Sequence, residues 1–152
     1  HVGRALADLF QHMPVRCLLV DSRAEELSLN TARVEKRLTA LPEAEVRAAP
    51  DHSAFIVLTH DHALDFLLVS EALTSKTSCW VGMIGSATKR ATYERYARME
   101  CDGLNTNSLI CPIGASGSRD KRPSVIAAAV VAEVITALTS ETAVQSTEIA
   151  QT

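Results

Sequence analysis

Gly85-Ser86-Ala87-Thr88-Lys89-Arg90 is the segment of this chain whose order carries the most chemistry. Serine is a strong helix N-cap, whereas Lys89 and Arg90 put two cations in a first turn where the helix dipole favours acids. A bound anion relieves that conflict. Glycine at 85 permits close backbone approach, and free amides beside two cations make a phosphate clamp. The alternative leaves both side chains in water, at a cost of roughly a few tenths of a kcal/mol each.

Three other groups bear on chemistry. Thr59-His60-Asp61-His62 offers donors of the kind that hold zinc or iron. Histidines two apart do not share a helical face, however, and Asp61 fits better as a helix cap, so a crevice lining or a solvated turn is expected instead. Cys111 stands before Pro112-Ile113-Gly114; a thiolate there would take a soft metal or sulfur, while the plainer alternative is a buried, inert cysteine. His1-Val2-Gly3 opening a helix, with Asp21 at the end of the next apolar run, matches the last half of a dinucleotide fingerprint. The first two glycines of that fingerprint do not occur before Gly3, which reads as an incomplete chain; an ordinary helix start and an exposed Asp21-Ser22 turn is the alternative. No serine, histidine and aspartate series stands in an elbow sequence, so nothing supports a hydrolase.

These residues sit at the ends of apolar runs that must be strands. Phe55-Ile56-Val57-Leu58 leads into Thr59, Cys79-Trp80-Val81 into Gly82-Met83-Ile84-Gly85-Ser86, and Leu109-Ile110-Cys111 into Gly114. Buried parallel strands read as such runs, and open α/β sheets bind ligands outside the strands' carboxyl ends. Val15 to Val20 reads as a further strand with Asp21-Ser22-Arg23 as its tip. Helices are expected near the start (Leu6, Leu9, Phe10), over 24–42 with Pro42 ending it, after Asp61, over 87–100, and from Pro123 through the apolar stretch 125–135, which should be buried. Val46-Arg47-Ala48 reads as a short edge strand. Strands alternating with helices imply a Rossmann-like, doubly wound α/β domain, a mainly parallel sheet with helices on both faces and its first strand missing. The domain is expected over 1–138, with a frayed tail over 139–152.

Composition narrows the classes further. At 152 residues, 47% hydrophobic and 22% charged, the chain makes one domain with a proper core. A net charge of −3 excludes a general nucleic-acid or anionic-lipid surface. Four scattered cysteines without C-x-x-C spacing fit a reduced, cytoplasmic protein, and no apolar stretch is long enough to span a bilayer.

The half-fingerprint at His1 to Leu6, the tip Val20 to Arg23, Leu58-Thr59-His60-Asp61-His62-Ala63-Leu64-Asp65, Gly82 to Ser86 with Lys89-Arg90, and Cys111 to Gly114 with Lys121, Pro123, Ile126 and Ala127 together resemble the C-terminal Rossmann domain of the xanthine dehydrogenase accessory proteins, the XdhC/CoxI family. The resemblance spans roughly 1–138. It implies a chaperone that binds the molybdenum cofactor (molybdopterin), aids its sulfuration by a cysteine desulfurase and its insertion into a xanthine dehydrogenase-type molybdenum hydroxylase, is often a homodimer, and turns nothing over itself. It also implies a ligand crevice with Gly3, Asp21, Ser22 and Arg23 in one half and Thr59, His60, Asp61, Gly85, Ser86, Lys89, Arg90, Cys111 and Gly114 around the other. The alternatives are an NAD(P)-dependent oxidoreductase in which Asp21 holds the adenosine ribose, and a regulatory domain that senses a nucleotide.

Overall fold

Helical and strand-like runs alternate along the chain. In the computed structural model, which describes residues 1–140, the order is α1 (Val2–Phe10), β1 (Leu18–Asp21), α2 (Ala24–Leu29), β2 (Glu35–Leu38), α3 (Pro42–Ala48), β3 (Ala54–Val57), α4 (His62–Thr74), β4 (Trp80–Met83), α5 (Ala87–Glu100), β5 (Leu109–Ile110) and α6 (Pro123–Thr139). Beyond Ser140 the expected tail lies outside the described residues.

All strand pairs are parallel, as expected. β1 pairs with β2, and β4 lies between β3 and β5. Among the described residues the strands form two hydrogen-bonded groups rather than one sheet.

Alternation along the three-stranded group sends neighbouring side chains to opposite cores. Val57, Val81, Met83 and Leu109 pack against Phe66, Val69, Tyr93 and Ala97 of α4 and α5. Ile56, Trp80 and Ile110 pack on the other face against Leu6 and Phe10 of α1 and Ala127, Val130 and Val134 of α6. Helices therefore cover both faces. In the first core, Ser70 Oγ donates to the Phe66 carbonyl at 2.7 Å and so accepts from the Tyr93 hydroxyl at 3.0 Å. Burial pushes Tyr93 up to about 12, so this bonded phenol stays neutral at any ordinary pH.

Three expectations need correction. The single helix over 24–42 is instead α2, a turn and β2, because the Asn30 side chain accepts the Ala32 N–H at 3.0 Å and turns the chain out of the helix. Pro42 opens α3 rather than closing a helix, and Val46 to Ala48, expected as an edge strand, lie inside α3. Proline at the first helical position with Glu43 and Glu45 in the first turn explains that helix. Finally, α6 is buried along one stripe and not all round: Ala128 and Ala132 are exposed while Ala127, Val130, Val131 and Val134 are buried.

Gly82 in the central strand is packed too closely for a side chain. A Cβ there would overlap the six-membered ring of Trp80 and lie 2.8 Å from Ile113 Cγ2. Gly82→Ala is therefore expected to destabilise the fold by about 1–3 kcal/mol through overpacking. A thermal melt that matches wild type would show that Trp80 can move aside.

Candidate functional site

The tips of β3, β4 and β5 converge. Pairing continues past the strands, with Ile84 N–H donating to the Val57 carbonyl at 2.9 Å and Ile113 N–H to the Met83 carbonyl at 3.2 Å. Thr59, Gly85, Ser86 and Cys111 lie within three residues of these strand ends, and Cys111 Sγ lies 3.9 Å from the Ser86 carbonyl. Gly114 takes the turn beyond them with φ +77°, seated against Ile126 of α6.

A buried ion pair ties two of the tips together. Asp65, fully buried in the first turn of α4, accepts the Thr59 N–H at 2.9 Å on Oδ1 and the Lys89 ammonium at 2.6 Å on Oδ2. Lys89 Nζ also donates to the Ile84 carbonyl at 3.0 Å. Its aliphatic stem lies against Gly85, where a Cβ would come within 2.6 Å of Lys89 Cδ. The glycine thus admits the lysine stem. Arg90 donates to the carbonyls of Leu109 at 2.7 Å and Cys111 at 3.5 Å, and pairs with Glu94 at 3.2 Å.

The two cations of the expected clamp have partners within the protein. Lys89 and Arg90 are bound to protein acceptors, neither presented as a pair to a ligand nor left in water. What α5 does present is its amide end. Ser86 Oγ accepts the Lys89 N–H at 3.2 Å, which leaves the N–H groups of Ala87 and Thr88 without an acceptor among the described residues. Both residues are exposed, and no acid occupies that first turn. Free amides at a helix start attract an anion without help from a side chain.

Thr59 and Asp61 shape the β3 tip. Asp61 caps α4, accepting from the N–H groups of Ala63 at 2.9 Å and Leu64 at 3.3 Å, and Thr59 Oγ1 donates to the Asp61 carbonyl. His60 is exposed beside them. Among the described residues no three histidine, cysteine, aspartate or glutamate side chains gather as a metal site. Cys111 is buried, and burial pushes its thiol up even though Lys89 and Arg90 pull it down. It is therefore a protonated thiol at neutral pH.

The other residues of the expected crevice stand at β1 and at the start of α1. Gly3, near the start of α1, meets the β3 tip, since a Cβ there would lie 3.0 Å from Leu58 Cδ1. Asp21 ends β1, with exposed Ser22 and Arg23 after it. Arg23 grips both oxygens of the Asp21 carboxylate, through its backbone N–H at 3.0 Å, Nε at 3.1 Å and Nη2 at 3.1 Å. Arg4 of α1 reaches Glu26 of α2 at 3.4 Å, and Arg23 lies 3.8 Å from the same glutamate. Asp65, Arg4 and Glu26 were not expected here. A lone carboxylate inside the apolar run Leu64 to Leu68 is the signal that would have pointed to Asp65, because such a group needs a partner.

Parallel strands with helices on both sheet faces make this a Rossmann-like domain, the kind of open α/β sheet that binds ligands at its strands' carboxyl ends. The profile described as the XdhC Rossmann domain matches residues 1–134, and the chain belongs to that family. A Bacillus halodurans protein described as a xanthine dehydrogenase, known from its crystal structure, has the same fold with a TM-score of 0.69 at 18% identity. The match covers 94% of this chain and 43% of that one, so this chain spans less than half the length of that protein. No curated protein matches the sequence significantly.

The Asp21 and Arg23 contact has a pH signature. Partial burial pushes the Asp21 carboxyl up, but the hydrogen bonds and charge of Arg23 outweigh it and hold the group below the ordinary aspartate range. A depressed folded value means stability that is present above the unfolded pKa of about 3.9 and lost as pH falls through the folded one. The melting-temperature gap between wild type and Asp21→Asn should therefore close as pH is lowered from about 4. A gap that stays constant from neutral pH to about 2.5 would show that the contact does not form in solution.

Proposed function

We propose that this domain is the cofactor-binding part of an accessory protein that holds the molybdenum cofactor for a xanthine dehydrogenase-type hydroxylase. The observation that carries this reading is the pair of exposed, acceptor-free amides at the start of α5, set among converging strand tips in a chain of the XdhC family. The phosphate of molybdopterin meets Ala87 N–H and Thr88 N–H, with Ser86 fixing that turn. Gly3 and the β1 tip flank the other side. Cys111 is the soft atom at the β5 tip, and a metal held there would first displace its proton.

On this reading the domain binds and presents the cofactor but turns nothing over. Sulfuration falls to a cysteine desulfurase, the hydroxylase receives the product, and a second copy of the chain completes a homodimer. Four free cysteines suit a reducing, cytoplasmic setting, and among the described residues no helix is long and apolar enough to cross a membrane. The NAD(P) reading is weaker because a ribose hydroxyl would compete with Arg23 for both oxygens of Asp21.

Thr88→Glu tests the anion assignment without harming the fold, since an acid in the first turn of a helix is favourable. Calorimetric titration with molybdopterin should show affinity lower by on the order of tenfold, about 1.4 kcal/mol, with an equal or higher melting temperature. Unchanged affinity would reject the amide site, and mass spectrometry that finds NAD instead of a pterin on the purified protein would reject the cofactor.

A further inference from the structure

We propose that Asp65 and Lys89 are positioning residues, whose buried ion pair sets the distance between the β3 and β4 tips and thereby aims the amide end of α5. The ligand side of this inference rests on the function proposed above. The pair makes four connections at once: Thr59 N–H at the β3 tip, the first turn of α4 through Asp65, the Ile84 carbonyl at the β4 tip, and the first turn of α5 through Lys89. The Lys89 side chain is 9% exposed and the Asp65 side chain 0%, so solvent does not loosen these contacts.

Stability alone does not account for such a pair. Desolvating two charges offsets most of their attraction, and apolar residues of similar size are often as stable in the same place. What apolar residues do not supply is direction. Asp65 uses one oxygen for a strand tip and the other for the ammonium, while the ammonium reaches back to the neighbouring strand tip, so displacement of either tip stretches a short bond. Gly85 completes the device by letting the lysine stem lie flat along the turn. Neither residue needs to touch ligand for this to govern affinity.

The test separates geometry from stability by comparing wild type, Lys89→Met, and the charge-free double variant Asp65→Leu/Lys89→Met. The single change leaves a buried carboxylate without its cation and should lower the melting temperature by on the order of 10 °C. The double variant should recover most of that loss. Its Ile84 N–H, which donates to the Val57 carbonyl and is not itself bonded to either replaced side chain although the Ile84 carbonyl loses its Lys89 partner, should nevertheless exchange with deuterium at least about tenfold faster than in wild type, and its affinity for molybdopterin should fall by a similar factor. Recovery of Ile84 protection together with the melting temperature would overturn the proposal. Should the double variant not fold, Lys89→Arg keeps the charge but changes reach and donor geometry, and wild-type protection at Ile84 in that variant would be equally fatal. Wild type that binds no molybdopterin counts against the function proposed above, while the exchange measurement still decides the positioning role.

Discussion

The rest of the site depends on one buried carboxylate. Asp65 has no exposed surface, so it must be satisfied from within, and its two oxygens recruit a strand-tip amide and a lysine from the next helix. That requirement fixes where α4 and α5 begin relative to the sheet. It also explains why a lysine is tolerated in a first helical turn, where the dipole opposes a cation: a full negative charge lies 2.6 Å away. Arg90 repeats the logic at lower burial, its guanidinium holding the carbonyls at the end of β5. The three tips of the larger sheet are thus joined by side chains as well as by the backbone.

This arrangement bears on the anion site proposed above. Two cations aimed at a ligand would give a strong but nonspecific field, whereas Lys89 is neutralised by Asp65 and Arg90 is paired with Glu94, so the proposed attraction would come from oriented N–H groups. Such donors select by direction and distance, which suits a phosphate held at one end of a larger molecule. The β1 half carries its own closed set of charges, with Asp21, Arg23, Glu26 and Arg4 answering one another.

Much of this was legible in the sequence, for identifiable reasons. β3 and β4 announce themselves as apolar runs, and the turns that follow hold the residues found at the tips. Asp61 and Ser86 cap their helices as their types suggest. The segment from Ala24 to Pro42 misled because Ala, Leu, Glu and Arg favour a helix, while β2 reads Glu-Lys-Arg-Leu and is exposed throughout. Its strand character comes from lying parallel to β1, a tertiary effect that local preference does not carry. The fate of Lys89 was hidden for a similar reason: its partner lies 24 positions earlier, on another helix. Residue spacing shows which charges sit in an awkward place but not which distant group resolves them.

Trp80 is the chain's single tryptophan, and it lies wholly in the core formed with α1 and α6, its indole N–H 3.4 Å from Glu133. The two tyrosines, Tyr93 and Tyr96, belong to the opposite core with α4 and α5. Each side of the sheet therefore carries its own chromophore. Indole emission follows the opening of one helical layer and phenol absorbance that of the other, so an optical denaturation curve can reveal whether the two layers come apart together or in turn.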